Sequence, residues 1–238
     1  MSIVSNELFW LALLIANFLL ILIVYRWFGA TGLYAWTVLA VIVANIQVVK
    51  TVELFGLTAT LGNIAYAGSF LVTDILSENY GSRAARRAVS FGFLAIIGFT
   101  VLMNLALLFT PSAQDFAHES MVTIFGFLPR IAAASLIAYA VSQMHDVWAY
   151  AFWRKIFPGD RTIWVRNNLS TLVSQLVDSL VFTFAAFAGV FPVAILLEIL
   201  LTTYVLKVIV AVADTPLVYL AARWYRRGVV REVDVEAP

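Results

Sequence analysis

Four apolar stretches of this chain each carry two polar side chains that are three or four residues apart. At that spacing both side chains lie on the same face of a helix, so each stretch offers one polar stripe. Carboxylates accept hydrogen bonds, while amides both donate and accept them, so such stripes can bind a ligand with polar edges. The pairs are Asp74 with Glu78, Gln143 with Asp146, Gln175 with Asp178, and Tyr204 with Lys207.

The chemistry of these pairs suits a planar nitrogen heterocycle. A carboxylate can accept two parallel hydrogen bonds from a guanine-like edge, and an amide can bind a carbonyl and a ring nitrogen. The 18 phenylalanines of the chain offer faces on which such a ring could stack. An amino acid, a vitamin or a cation would satisfy much of the same set of groups, so the residues alone leave the ligand class open.

The composition places these polar pairs inside a membrane. Of the 238 residues, 63% are hydrophobic and only 12% are charged, and the mean hydropathy is +0.94. A water-soluble domain carries about 25% charged residues, so we predict an integral membrane protein. The chain has no cysteine, which excludes disulfides, metal thiolates and thiol nucleophiles.

The apolar runs predict an all-α fold with seven transmembrane helices. Each run is close to the length of about 20 residues that crosses a bilayer core. Open strands cannot satisfy their backbone in lipid, and the runs are too continuous for the alternating strands of a barrel. The predicted spans are 8–26, 32–50, 58–80, 88–110, 127–152, 168–189 and 193–223.

The basic residues predict the orientation of the chain. Twelve of the 15 lysines and arginines fall in alternate connections and the C-terminal tail, two fall on the other side, and Lys207 lies within a span. By the positive-inside rule, the N-terminus is predicted outside and the C-terminus in the cytoplasm. The three arginines of the segment "SRAARRAV" then anchor the cytoplasmic end of the third span.

Buried charge predicts that the polar stripes meet in one pocket. A charged side chain at the bilayer centre costs about 2.5–3.5 kcal/mol, so such groups face a cavity or each other. Acids outnumber bases in this set, so they cannot all form internal ion pairs. Two alternatives remain for individual residues of this set. Asp178 and Lys207 could form a purely structural ion pair, and Glu78 could simply be solvated.

Motifs for catalysis are absent from the sequence. It contains no HExxH, no GxSxG and no P-loop, so we predict neither an enzyme, nor a cofactor, nor a metal site. A retinal-binding seven-helix photoreceptor or pump is one alternative, since Lys207 lies in the last span, but Thr203 stands where those proteins carry an aspartate. A membrane-embedded enzyme is another, and it lacks a visible nucleophile–base pair.

Four segments of the chain together resemble the VUT family, the queuosine precursor transporters. The similarity runs from about residue 32 to residue 222. The segments, in order, are "FLVTDILSENYGSRAARRAV", "AVSQMHDV", "STLVSQLVDSLVF" and "TTYVLKVIVAVADTPLVY". The resemblance implies a bacterial inner-membrane importer of 7-deazaguanine bases, namely 7-cyano-7-deazaguanine and 7-aminomethyl-7-deazaguanine.

The resemblance also implies a domain organisation. It implies a six-helix core over residues 32–228 that resembles the substrate-binding subunits of energy-coupling-factor transporters. Residues 1–31 would then form an extra N-terminal transmembrane helix, and residues 229–238 a cytoplasmic tail. The partners implied are a small deazapurine base, the lipid bilayer and, as one of several open energy sources, an ATP-driven energy-coupling module. Secondary transport and facilitated diffusion fit equally well, and no nucleic acid is expected.

Substrate-binding residues follow from the segments that match. In this interpretation Asp178 and Asp146 accept hydrogen bonds from the base, while Gln143 and Gln175 serve its other edge. Lys207 would keep the carboxylates ionised in the empty site. The residues implied by the resemblance are Asn45, Asp74, Glu78, Gln143, Asp146, Gln175, Asp178 and Lys207.

Overall fold

A computed structural model describes residues 5–156 and 163–232, without the side chains of residues 163–171 and of a few residues within α2 and α5. Helices dominate this part of the chain, and one two-stranded hairpin accompanies them. The elements are α1 (Asn6–Gln47), β1 (Thr51–Leu54), β2 (Leu57–Thr60), α2 (Gly62–Tyr80), α3 (Ser82–Ala106), α4 (His118–Phe125), α5 (Leu128–Ile156), α6 (Ile163–Phe187) and α7 (Val193–Arg226).

Helix α1 is two antiparallel arms joined by a break at Gly29. A straight helix of its 42 residues would be about 63 Å long, twice the hydrocarbon thickness of a bilayer. Gly29 has φ 53° and ψ −138°, which are not helical values. Asn6, at the start of α1, donates a hydrogen bond to the carbonyl of Glu53, which follows the end of α1 (2.9 Å). Both ends of α1 therefore lie together, and the chain turns back at Gly29.

Substitution of Gly29 should destabilise this turn. The positive φ of Gly29 disfavours any L side chain, and an added Cβ would also displace the carboxylate of Glu232. We expect Gly29→Ala to lower the free energy of unfolding by about 1–3 kcal/mol. Gly98→Ala is the matched control, because Gly98 lies inside α3 and a Cβ there meets nothing within 4 Å. Thermal unfolding in detergent measures both, and equal stability of the two variants would contradict the assignment of the turn.

The hairpin of β1 and β2 closes one end of the helical bundle. Its strands pair antiparallel with Thr51 opposite Thr60, and both turn residues, Phe55 and Gly56, have positive φ, as in a type I′ turn. It is docked on α7 through Thr58, whose N–H donates to Glu198 (2.9 Å). The prediction of a third span over 58–80 was wrong at its start, because β2 occupies the first residues and α2 begins at Gly62.

The opposite end of the bundle brings together the break in α1, the corner between α2 and α3, and the end of α7. Asn79 of α2 donates to the hydroxyl of Tyr25 in α1 (2.8 Å). The rings of Tyr80 and Tyr225 meet edge to face with their centroids 5.0 Å apart. We call this the basic end, because Arg26, Arg83, Arg86, Arg87, Arg223, Arg226 and Arg227 all belong to these segments.

The outward surface of the bundle is strongly apolar. Leu94 is 69% exposed, Leu102 68% and Val212 71%, although each lies within a long helix. Large exposed apolar patches of this kind mark a surface that contacts lipid. Four helical segments in the described residues are long and apolar enough to cross a membrane: Asn6–Gln47, Ser82–Ala106, His118–Ser142 and Val193–Arg226. The prediction of an all-α integral membrane protein is therefore confirmed.

Candidate functional site

A buried ion pair between α6 and α7 lies at the centre of the bundle. Lys207 Nζ donates to Asp178 Oδ2 at 2.5 Å, and each residue is only 6% exposed. The second carboxylate oxygen accepts a hydrogen bond from the Ser142 hydroxyl (3.4 Å). The ammonium group also lies 5.2 Å from the ring centroid of Tyr66, within range of a cation–π interaction. The carboxylate and the ammonium therefore neutralise each other within an apolar bundle.

A first cavity lies between this ion pair and the hairpin. It has an empty volume of about 430 Å³ and contacts α1, α2, α5, α6 and α7. We call it the hairpin-side cavity. Asn63 donates across it to the hydroxyl of Thr203 (3.3 Å), and the Ser135 hydroxyl donates to the side-chain oxygen of Asn45 (3.3 Å). These polar groups already partner each other, so they leave few free donors or acceptors.

A second cavity adjoins the first on the side of the basic end. Its empty volume is about 1140 Å³, open solvent included, and it contacts α1, α2, α3, α5 and α6. Four aromatic side chains line it, so we call it the aromatic cavity. The two cavities share Asn45, Tyr66, Ser135 and Asp178 in their walls. The aromatic side chains are Tyr66, Phe70, Phe93 and Tyr139.

Polar groups in the wall of the aromatic cavity are placed to receive a ligand. The side-chain oxygen of Gln175 is buried and accepts no hydrogen bond from any residue that the structure describes. Such an unsatisfied acceptor costs about 1–3 kcal/mol, which a ligand donor could recover. Asp178 offers a carboxylate beside it, and Arg86 lines the same cavity from the basic end. The cavity thus combines flat apolar faces with a few polar groups, the composition typical of small-molecule sites.

Four of the eight predicted site residues converge on these cavities. Asn45, Gln175 and Asp178 line the aromatic cavity, and Lys207 lines the hairpin-side cavity next to Asp178. The side chains of Gln143 and Asp146 lie outside the described residues, although their backbone belongs to α5.

Asp74 and Glu78 are placed elsewhere, so the structure does not gather all four polar stripes into one pocket. Both are exposed, and they line a separate groove between α2 and α7, which also contains Asp214 and has an empty volume of about 1080 Å³. We call it the α2–α7 groove. The reason is helical periodicity: Tyr66, Phe70 and Thr73 form the face of α2 toward the aromatic cavity, and position 74 is rotated about 100° from position 73.

Several wall residues were missed by the sequence prediction. Tyr66, Ser69, Phe70 and Thr73 recur every three or four residues along α2, and that stripe was a usable signal. Asn63 gave no such signal, because it lies at the start of α2, next to the unpredicted hairpin. The sequence prediction rested on charged and amide side chains, so it included Asp74 and not its aromatic neighbours on α2.

Comparison with known proteins assigns the chain to a transporter family. Residues 60–221 match the family model described as "Putative vitamin uptake transporter". A Bacillus subtilis (strain 168) protein named "Probable queuosine precursor transporter" is 46% identical over 218 residues, which cover 92% of this chain and 95% of that protein. No solved structure matches the chain.

Two more distant relatives carry the same kind of name. The "Queuosine precursor transporter" of Escherichia coli (strain K12) is 28% identical over 172 residues, which cover 71% of this chain and 75% of that protein. A "Probable queuosine precursor transporter" of Haemophilus influenzae is 31% identical over 134 residues, or 56% of this chain and 54% of that protein. These names describe membrane transporters and no catalytic activity. The chain therefore belongs to the vitamin uptake transporter family, together with these queuosine precursor transporters, and it is a membrane transporter and not an enzyme.

Proposed function

We propose that the protein imports 7-deazaguanine precursors of queuosine, and that the aromatic cavity is where the base binds. The names of the relatives support the substrate class. The observation that carries the site is the unsatisfied acceptor of Gln175 beside the Asp178 carboxylate in an aromatic-walled cavity. The 7-cyano and 7-aminomethyl bases are both flat, with a guanine-like donor edge, so either fits this chemistry.

In the bound state, the Asp178 carboxylate accepts two hydrogen bonds from the ring N–H and the exocyclic amino group of the base. The side-chain oxygen of Gln175 accepts a hydrogen bond from another N–H group of the base. Phe93 and Tyr139 lie along the faces of the base. Their own rings meet edge to face at 4.7 Å, so one of them must turn to stack on the base. Lys207 and Ser142 donate to the two oxygens of Asp178 and hold the carboxylate in place before the base arrives.

We propose a bacterial inner-membrane location with seven crossings. The two arms of α1 each supply one crossing, and the remaining five come from α2, α3, α5, α6 and α7. Because the basic end gathers most of the arginines, it faces the cytoplasm and the hairpin faces outside. This places the N-terminus outside and the C-terminus inside.

We also propose that residues 32–228 are the transport core and resemble energy-coupling-factor substrate-binding subunits. Residues 1–31 then supply an added helix. Its Trp10, Leu14 and Phe18 join the same hydrophobic cluster as Leu71 of α2 and Val210 of α7, so the added helix is packed into the core.

The test of this function uses bacteria that lack both their own synthesis of the precursors and their own importer. We expect expression of this chain to restore queuosine in tRNA when either base is supplied at low concentration. An empty vector is the control, and membrane-fraction immunoblots establish that the protein is present. Queuosine-free tRNA from cells that contain the protein and receive both bases would refute the proposed substrate.

A further inference from the structure

The α2–α7 groove contains a buried carboxylate that has no neutralising partner among the described residues. Asp214 is only 3% exposed, yet it lines the groove, and its Oδ2 atom accepts no hydrogen bond from this part of the chain. No lysine or arginine in the described part of the chain forms an ion pair with it. An isolated ionised carboxylate is costly to bury, so in practice such a group takes up a proton.

The charged side chains around Asp214 reinforce this argument. Helix α2 contributes Asp74 and Glu78, which add negative charge and favour a protonated neighbour. Among the described residues that line the groove, the one basic group is Arg226, three turns further along α7.

Other elements that pack on α7 use their charged groups elsewhere. Asp178 of α6 pairs with Lys207, and Arg26 of α1 lies over the ring of Trp224 at 5.5 Å. At the hairpin, Glu198 of α7 itself accepts from the N–H of Thr58. Within the described residues, none of these groups supplies a counter-charge to Asp214.

The groove suits a proton better than a metal ion. In the described ranges, no three histidine, aspartate or glutamate side chains gather closely enough to hold a metal. A proton needs only one carboxylate oxygen. The exposed Asp74 and Glu78 lie one turn apart on α2 and can relay protons between water and the buried Asp214.

The groove and the hairpin-side cavity are both lined by α2 and α7, and α2 also lines the aromatic cavity. Lys207 and Asp214 are both buried on α7, two turns apart, or about 10 Å along the axis. Helix α2 likewise presents Tyr66 and Phe70 to the aromatic cavity and Asp74 to the groove. Movement of α7 against α2 therefore changes both sites together.

A proline in α7 gives the helix a point at which it can bend. Pro216 follows Asp214 by two residues, and because it has no N–H, it removes one hydrogen bond from the helix at this level. Helices bend at such positions. The helix can therefore flex beside the buried carboxylate without losing its contacts near the hairpin.

We propose that Asp214 is a proton-binding site that couples proton movement to transport of the base. The carboxylate takes up one proton and becomes neutral, which allows α2 and α7 to pack closely. Release of that proton into the groove restores the charge and opens the packing again. The coupling half of this statement depends on the proposed function, whereas the proton site itself does not.

Infrared spectroscopy of the purified protein tests the proton site without any substrate. We expect the wild-type protein at neutral pH to show the carbonyl stretch of a protonated carboxyl group, shifted in D₂O and lost in Asp214→Asn. Asp115→Asn is the matched control, because Asp115 is an exposed carboxylate in the loop before α4, and it should keep the band. A band that persists unchanged in Asp214→Asn would overturn the assignment.

Proteoliposomes test the coupling. The liposomes receive radiolabelled 7-aminomethyl-7-deazaguanine and an acidic exterior. We expect the wild type and Asp115→Asn to accumulate at least tenfold more base than the same liposomes with equal pH on both sides. Asp214→Asn should only equilibrate it, while the base still raises the unfolding temperature of this variant as it does for the wild type. Gradient-driven accumulation by Asp214→Asn, or accumulation driven by sodium and not by protons, would refute the coupling. Failure of the wild type to move any base would instead count against the proposed function.

Discussion

Replacing Lys207 with methionine should lower the free energy of unfolding by about 3–5 kcal/mol, the cost of removing one partner from a buried pair. The buried carboxyl group of Asp178 would lose its cationic partner and keep only the long contact to Ser142, which is costly whether the group stays charged or takes up a proton. The second substitution, Asp178→Asn, added to Lys207→Met, should recover most of that loss, because a neutral amide then replaces the unpaired carboxyl group. Denaturant titration in detergent of the wild type, Lys207→Met, Asp178→Asn and the double variant measures the coupling between the two positions.

The control for this cycle is Lys50→Met. Lys50 is an exposed lysine just after α1, so its removal should change the stability by less than about 0.5 kcal/mol. If Lys207→Met were as stable as Lys50→Met, the ion pair would not form in the membrane. If the double variant remained as unstable as Lys207→Met, the lysine would contribute through packing and not through its charge.

Asp178→Asn should abolish import of the base at low concentration. Two hydrogen bonds to a charged acceptor are each worth about 1.5–3 kcal/mol, so their loss corresponds to an affinity roughly 100-fold lower or worse. We expect tRNA from cells expressing this variant to lack queuosine unless the external base is raised in proportion. The measurement is the same queuosine assay, run over a range of base concentrations, with membrane-fraction immunoblots to establish that the variant is present, because Asp178→Asn also removes the partner of Lys207.

Two further variants serve as controls for this prediction. Asp115→Asn makes the same chemical change on an exposed loop and should import normally. Phe93→Ala removes one aromatic face of the cavity, where stacking is worth about 1–3 kcal/mol per base, so its loss should be smaller than that of Asp178→Asn. Normal import by Asp178→Asn at limiting base would exclude this carboxylate from the binding site.

The overall architecture was largely predictable because the bilayer fixes the length and polarity of a span. The break between predicted spans 8–26 and 32–50 includes Gly29, where α1 turns back on itself. The hairpin was not predictable in the same way, since its eight strand residues carry too little periodicity to separate them from the apolar run that follows. Its Phe55-Gly56 turn was the one local signal.

The central pair illustrates what spacing alone can and cannot determine. An ion pair between Asp178 and Lys207 was one interpretation of the sequence, and the structure joins the two side chains directly. Periodicity within one helix says which residues share a face, but the direction in which that face points depends on the neighbouring helices. For this reason Asp74 was predicted in the shared pocket. It lies instead in the α2–α7 groove, because it directly follows Thr73 and points to a different side of α2.

The most direct test of the central claim is an experimental structure of the purified protein with 7-aminomethyl-7-deazaguanine bound. We expect density for the base in the aromatic cavity, with its N–H and amino groups on the carboxylate of Asp178 and a hydrogen bond to the side-chain oxygen of Gln175. Density for the base in the α2–α7 groove, with the aromatic cavity empty, would contradict the account.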